Sequence, residues 1–356
     1  MTIMWINLTV VYVLSFLARY FSRPIYYEFH YVRHNKILIF LAITSLVLVS
    51  GLRNNIGDTY FYLDSYSNSD FTWEDIKSKK DPGFNVLQMI LKIISEDPQF
   101  LLLVTALITN LLIGITLYKY SRMVELSFYV YITYGMYIVS MNGIRQFLAA
   151  SLIFIATKYL LDGNFRKYAI FVIISSTIHQ SALVLLPIYF IVRREAWTKI
   201  TFILLGLAIF IVVGFNQFSE MLFASLENTQ YSHYSSFEEG GANKIRVIVD
   251  SVPVIIAFLG REKLKRLWPK SDIIVNLSII NLIFMIIATQ NWIFARFNIY
   301  FSLYNLILIS WIIYLFNASN RKFVYYSLII SYLIYFYYEH VISLNILYQS
   351  DYIFFF

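Results

Sequence analysis

Long apolar runs separated by short polar stretches dominate the chain. Ten of them are about as long as the roughly 17–25 residues that a membrane-spanning helix needs. These runs are 3–21, 37–52, 99–118, 126–141, 144–161, 199–215, 246–260, 273–289, 294–316 and 323–338. A further apolar stretch, 167–192, has a polar middle, and we interpret it as two short helices that meet near His179. The pattern predicts an all-α, polytopic membrane helix bundle of about 12 transmembrane segments, forming a single integral membrane domain over residues 1–356.

Two stretches between these runs are predicted to lie on the outer side, 53–98 and 216–245. The first contains Asp81-Pro82-Gly83, in which an N-cap Asp and a Pro at the first helical position favour a helix start. We predict a helix over 84–95, which is too short to span the membrane and would lie in the outer interface. Its predicted apolar face holds Phe84, Leu87, Leu91 and Ile94, and its polar face holds Asn85, Gln88 and Lys92.

Composition and charge agree with a membrane protein. Hydrophobic residues make up 59% of the chain and charged residues 14%, which excludes an ordinary soluble domain and a disordered chain. The absence of cysteine excludes disulfides, thiolate metal sites and a thiol nucleophile. With the N-terminus outside and the first helix kept as a signal-anchor, the inner side carries 19 of the 28 basic residues and 6 of the 21 acidic residues. This asymmetry follows the positive-inside rule and explains the net charge of +7 without nucleic acid.

Three arginines break that rule, because Arg53, Arg145 and Arg296 all fall on the outer side at similar membrane depth. A charge in the bilayer costs about 2.5–3.5 kcal/mol on insertion scales, so such residues usually face a cavity or a partner. Arginine can bind phosphate through two parallel hydrogen bonds, and the three residues therefore indicate an anionic ligand. The alternative for each is that its side chain reaches the outer headgroups. We interpret Arg246, beside Lys244, as such an interface anchor.

His179 and Asp58 are the candidate acid–base residues. His179 lies at an outward turn within an apolar stretch, where it could act as a base or a donor, or could simply pack between helices. Asp58 is the carboxylate nearest to Arg53, and it could be a general base or only the partner of that arginine. We interpret His233, Glu238 and Glu239 as a solvated loop. No set of residues has metal-ligand spacing, so the sequence predicts no metal and no cofactor.

Several of these motifs, taken in order, resemble the EpsG family, the Wzy-like polymerases of bacterial exopolysaccharide, capsule and O-antigen. The resemblance covers roughly residues 19–316. The motifs are Arg53 through Gly57-Asp58-Thr59-Tyr60, Asp81-Pro82-Gly83-Phe84, Met141-Asn142-Gly143-Ile144-Arg145-Gln146-Phe147-Leu148-Ala149, Ile178-His179-Gln180-Ser181-Ala182-Leu183 and Ala295-Arg296-Phe297-Asn298-Ile299-Tyr300-Phe301.

The resemblance implies glycosyl transfer at the outer leaflet of the bacterial inner (cytoplasmic) membrane. Donor and acceptor would be oligosaccharide repeat units on polyprenyl diphosphate, as in enzymes similar to the C-type glycosyltransferases. Neither a nucleotide sugar nor a metal would be required. Membrane lipids, and a chain-length regulator protein as a candidate, would be the other partners.

The resemblance also implies residue roles. Arg145 and Arg296 would bind the diphosphate, and Arg53 would bind a lipid phosphate. Asn142 and Gln146 would orient sugar or phosphate, and His179 would sit beside the reacting sugar. The complete set of candidate residues is catalytic His179, Arg145 and Asp58, and substrate-binding Arg53, Arg296, Asn142, Gln146, Tyr60, Gln180 and Tyr300.

Two other functions fit part of the pattern. A flippase or exporter of the same lipid-linked sugar would also need a cationic cavity, although it should show an internal repeat that we do not find. A membrane acyltransferase acting on surface sugars would need His and Arg near the first helices with a cytoplasmic acyl-donor site. His30 and His34 lie on that side, but nothing else matches.

Overall fold

Helices form almost all of the structure, a computed structural model that describes residues 1–24, 32–78, 80–225 and 240–353. The α-helices are α1 Thr2–Tyr20, α2 Lys36–Gly51, α3 Thr59–Asn68, α4 Trp73–Ser78, α5 Pro82–Ile94, α6 Pro98–Tyr120, α7 Val124–Thr133, α8 Met136–Asn142, α9 Ile144–Ile155, α10 Thr157–Leu161, α11 Phe165–Ile178, α12 Leu185–Val192, α13 Lys199–Val213, α14 Phe215–Ser225, α15 Lys244–Leu259, α16 Arg261–Leu267, α17 Ser271–Ala288, α18 Ala295–Ile312 and α19 Ala318–Phe336. Three 3₁₀ helices, Gln180–Val184, Trp292–Phe294 and Ile313–Leu315, and a π-helix, Tyr337–Ser343, complete them. Strands β1 Arg23–Pro24 and β2 Val32–Arg33 pair antiparallel.

Asparagine and aspartate side chains start several of these helices. The Asn35 side chain accepts a hydrogen bond from the backbone N–H of Ile37 at 3.0 Å, at the start of α2. Asp97 accepts one from the N–H of Gln99 at 2.9 Å, and Pro98 follows it as the first residue of α6. These caps satisfy backbone donors that the helix itself leaves unpaired, so the polar residues between apolar runs fix where the helices begin.

The length and composition of the helices are those of a multi-pass membrane protein. Within the described ranges, four helices are long and apolar enough to cross a membrane: Thr2–Tyr20, Pro98–Tyr120, Ser271–Ala288 and Trp292–Leu315. A fifth crossing results if Lys199–Val213 and Phe215–Met221, which are bent by 94°, form one span. Shorter apolar helices occur at Lys36–Gly51, Pro82–Ile94, Ile144–Ile155 and Gln180–Val192. The twelve crossings stay a prediction.

The interior of the bundle is built around α17 and α18. In their most apolar windows, 78% and 83% of the residues are buried, against 33% in α1. The predicted run 126–141 is divided into α7 and α8, and 144–161 into α9 and α10. The expected break between Asn142 and Ile144 is present, since only Gly143 separates α8 from α9. As predicted, two short helical stretches meet at His179, where α11 ends and a 3₁₀ turn begins.

Helix α5 differs from its predicted form in two respects. Asp81 occupies the N-cap position with a left-handed backbone (φ 57°), but its side chain caps no backbone N–H of the helix. The predicted faces are also partly wrong. Phe84 and Leu91 are buried, whereas Ile94 is 67% exposed and Gln88 is only 3% exposed. The reason is that α5 packs against both α11 and α6, so tertiary contacts rather than one apolar stripe decide which side chains are covered.

Candidate active site

A cavity of about 700 Å³ opens between the ends of several helices. It is of the size that small-molecule sites have, about 300–1,000 Å³. Six of the predicted site residues line it: Asp58, Asn142, Arg145, Gln146, His179 and Arg296. Residues as far apart in the sequence as Asp58 and Arg296 are therefore brought to one place by the fold.

Two close approaches of backbone bring the loop residues to this cavity. Gly57 has a φ of +55°, and a Cβ added there would lie 2.1 Å from Oδ1 of Asn142. That oxygen accepts a hydrogen bond from the backbone N–H of Asp58 at 2.9 Å, which holds the carboxylate segment against α8. A Cβ on Gly83 would lie 2.2 Å from Oγ1 of Thr177, so the start of α5 packs tightly on the end of α11. Glycine is required at both positions because a side chain would not fit.

Asp81 is a site residue that our sequence analysis did not identify. Its Oδ2 lies 3.0 Å from Nη1 of Arg145, and its Oδ1 accepts a hydrogen bond from the backbone N–H of Gln180 at 3.2 Å. The Asp81 side chain is 9% exposed and that of Arg145 is 42% exposed. Arg145 therefore has a fixed carboxylate beside it. The carboxylate fixes the guanidinium at the mouth of the cavity.

Arg296 occupies another part of the same wall. Its guanidinium lies over the ring of Trp292, 4.7 Å from the centroid. The 3₁₀ turn that precedes it is capped by Asn291, whose side chain accepts from the N–H of Ile293 at 3.0 Å. Gln146, which is 6% exposed, donates from Nε2 to the Arg296 carbonyl at 2.7 Å. Gln146 therefore ties the first turn of α9, which carries Arg145, to the first turn of α18, which carries Arg296.

His179 belongs to a small hydrogen-bonded group with Ser181 and Tyr300. Its Nδ1 lies 2.7 Å from Oγ of Ser181, which lies 2.9 Å from the hydroxyl of Tyr300. The Tyr300 hydroxyl is 3.4 Å from the same Nδ1. Burial lowers the pKa of His179 to about 4; the nearby Asp81 carboxylate opposes this shift, and Arg145 and Arg296 add to it. The imidazole is therefore neutral at pH 7 and able to accept a hydrogen bond.

Besides Tyr300, three predicted residues do not line the cavity. Arg53 is 1% exposed and is surrounded by its own chain, since it donates to Oγ1 of Thr59 at 3.0 Å and to the carbonyls of Ser50 and Met141. Tyr60 is 69% exposed. Gln180 contributes its backbone N–H to Asp81. A substrate-binding role for these three stays a prediction, and the contacts of Arg53 favour a structural one.

The opposite wall contains polar residues that we had not singled out as site residues. Arg246, which we interpreted as an interface anchor, lines the cavity and forms an ion pair at 2.5 Å with Glu339, which is 1% exposed. His340 and Asn298 also line it, at 3% and 4% exposure. The sequence signal for this pair is an acidic residue, Glu339, directly after the apolar run 323–338, but the sequence does not show how the helix that carries it is aligned with the helix that carries Arg246.

Charge in the cavity is predominantly positive. Its described lining holds three arginines and one carboxylate, Asp58. No group of three or more His, Asp or Glu side chains in the described part of the chain could hold a metal ion. His30, His233, Glu238 and Glu239 lie outside the described residues, as does the middle of the segment 216–245, residues 226–239.

Comparisons with known proteins agree with the motif order. No curated protein and no solved structure matches the chain significantly. A family model does match, that of the EpsG family, over residues 36–350. This range covers most of the chain and contains every residue of the cavity described above. The chain is therefore a member of the EpsG family, a family of Wzy-like polysaccharide polymerases.

Proposed function

We propose that this protein joins polyprenyl-diphosphate-linked oligosaccharide repeat units at the outer leaflet of the bacterial cytoplasmic membrane. The observation that carries the proposal is the single cavity in which Arg145, Arg296, His179 and Asp58 meet. Membership of the EpsG family supports a polymerase, and the apolar helices support a multi-pass membrane protein. About twelve crossings and a C-type glycosyltransferase architecture are part of the same proposal.

The reaction needs little from the protein besides position and charge. A hydroxyl oxygen of the acceptor sugar bonds to the anomeric carbon of the donor sugar. The bond from that carbon to the diphosphate oxygen breaks, and its electron pair leaves with the lipid diphosphate. The hydroxyl proton passes to a base in the cavity and then to water. Guanidiniums beside the leaving oxygen stabilise the charge that grows there, which is commonly the largest contribution to such catalysis.

Each residue has a role that its position favours. Arg145 and Arg296 bind the diphosphate, because they are the cavity arginines held together by Gln146. Asp58 accepts the hydroxyl proton, and Asn142 positions Asp58 through its backbone N–H. His179 orients the reacting sugar, because its contacts to Ser181 and Tyr300 use Nδ1 and leave Nε2 for a substrate hydroxyl. No metal takes part in this scheme.

The ion pairs support the sidedness of the proposal. Each of the seven ion pairs among the described residues joins two side chains that the charge pattern assigns to the same side. Arg19 with Glu125 and Lys270 with Asp162 are inner pairs. Arg145 with Asp81 and Arg246 with Glu339 are outer pairs. The cavity lies with the outer pairs, which favours an active site facing outward.

A product assay tests the proposal. The substrate is the lipid-linked repeat unit isolated from a strain that lacks this protein, in which it should accumulate. Purified protein is reconstituted with it, with chelator present and no nucleotide sugar. We expect a ladder of products spaced by whole repeat units. Substrate that moves between leaflets of the vesicle without forming a ladder would replace the polymerase with a flippase.

A further inference from the structure

A second chamber, smaller than the cavity, lies beside it. It has a volume of about 330 Å³ and shares three residues with the cavity: Asp58, Tyr62 and Arg145. The rest of its lining comes from the outer helices α3 and α5, namely Phe61, Ser65, Phe84, Asn85 and Gln88. The two spaces therefore meet at the proposed base and at one of the proposed diphosphate ligands.

The two chambers differ in charge. Arg296 and Arg246 line only the cavity, so Arg145 at the junction is the one arginine in the described lining of the small chamber. A diphosphate would find its cations in the cavity. The small chamber instead offers two amides, a serine hydroxyl and aromatic rings. Amides and hydroxyls pair with sugar hydroxyls, and ring faces cover the apolar side of a sugar.

Gln88 gives independent support for a ligand in this chamber. Its side chain is 3% exposed although it lies on the helix face that the sequence predicts as polar. Its Nε2 donates to Oδ1 of Asn85 at 3.4 Å, and its Oε1 accepts no hydrogen bond. A buried acceptor left unpaired costs about 1–3 kcal/mol, so such a group is commonly satisfied by a water or a ligand. A sugar hydroxyl in the chamber would supply the missing donor.

From the charge difference, the shared junction and Gln88, we infer that the small chamber binds the acceptor saccharide. This inference rests on the proposed polymerase function and assigns its two substrates to two places. The donor diphosphate lies in the cavity with Arg145 and Arg296. The acceptor sugar enters between α3 and α5 and presents its hydroxyl at Asp58, where the two spaces meet.

The test separates the acceptor from the donor. Mild acid releases the repeat-unit oligosaccharide from its lipid diphosphate, and the free saccharide can serve only as acceptor because it has no leaving group. Transfer from a fixed amount of lipid-linked donor is measured against its concentration. Binding of polyprenyl diphosphate without sugar is measured in parallel.

Two variants alter the chamber differently. Gln88→Leu removes the amide, and Ser65→Trp fills the space from an exposed position of α3. We expect each to raise the half-saturating concentration of free saccharide about tenfold or more, as expected for loss of one hydrogen bond or of the space itself. Binding of polyprenyl diphosphate should be unchanged. Asn281→Leu in α17, a buried amide that lines neither space, is the matched control.

The outcomes distinguish the inference from the function on which it rests. A wild-type protein that forms no ladder contradicts the polymerase itself. The acceptor chamber alone is overturned if the wild-type protein polymerises but both variants saturate at the same concentration of free saccharide as the wild type. Equal weakening of saccharide and polyprenyl diphosphate binding in both variants would also overturn it, because the chamber would then serve the donor.

Discussion

Arg53 and the pair Arg145 and Arg296 look alike in the sequence but occupy different kinds of environment. The charge pattern assigns all three to the outer side, at the ends of apolar segments. Arg53 lies in a closed junction between α2 and α8, where it is 1% exposed and donates to two backbone carbonyls and one hydroxyl. Arg145 and Arg296 line an open cavity, and the Arg145 side chain is 42% exposed.

A membrane protein can accommodate a costly charge in two ways. In the junction, the chain itself supplies the acceptors, so the charge stabilises the fold. In the cavity, the Asp81 carboxylate holds Arg145 and the Trp292 ring lies against Arg296, while both arginines still face the open space, where an anion could bind. The free-energy cost of placing an arginine in the membrane therefore indicates only that the residue has a role. The groups that surround it decide whether that role is structural or functional.

The largest effect should come from the cavity arginines. Arg145→Lys and Arg296→Lys each keep a positive charge but lose the planar, two-pronged contact with phosphate. We expect each to lower the rate of ladder formation about a hundredfold, as for removal of one transition-state donor elsewhere. Arg122→Lys, at a residue that lines neither the cavity nor the small chamber, is the control. Wild-type rates in either cavity variant, at normal protein yield, would remove that arginine from the diphosphate site.

Arg53 should show the opposite behaviour. Arg53→Met leaves the carbonyls of Ser50 and Met141 buried without their donor, which should cost about 2–4 kcal/mol of stability. We expect a lower unfolding temperature in detergent, while the protein that remains folded polymerises close to the wild-type rate. If Arg53→Met keeps the wild-type unfolding temperature and forms no ladder, the comparison fails and Arg53 belongs with the phosphate ligands.

Much of the architecture was predictable because it depends on local pattern. Apolar runs identify the helices, and the polar breaks at Gly143 and His179 mark where two of them end. The cavity residues near those breaks could be predicted for the same reason. A break in an apolar segment exposes backbone polar groups that only protein or water can satisfy.

The remaining features depend on contacts between distant segments. The sequence predicts that Asp81 caps a helix, yet its carboxylate pairs with Arg145, 64 positions away. The sequence predicts Gln88 on the polar face of its helix, yet the packing of α5 buries this side chain. Arg53 reads like the cavity arginines, because the sequence does not show which carbonyls will surround it. In each case the local sequence correctly identifies an unusual polar residue, but a contact with a distant segment decides which role that residue has.

The smallest effect concerns His179 and pH, and it sharpens the proposed division of roles in the cavity. Because burial lowers the pKa of His179 to about 4, its neutral form persists well below pH 6.5 and is lost only as the pH falls through about 4. We compare the polymerisation rates of the wild type and of His179→Gln. We expect the difference between the two rates to stay constant between pH 8 and pH 5. Initial rates of wild type and variant, measured in the same vesicles across that range, give this difference. A His179-dependent fall centred near pH 6.5 would mean that the imidazole is solvated as in a model peptide, and the closed group with Ser181 and Tyr300 would not describe the working enzyme.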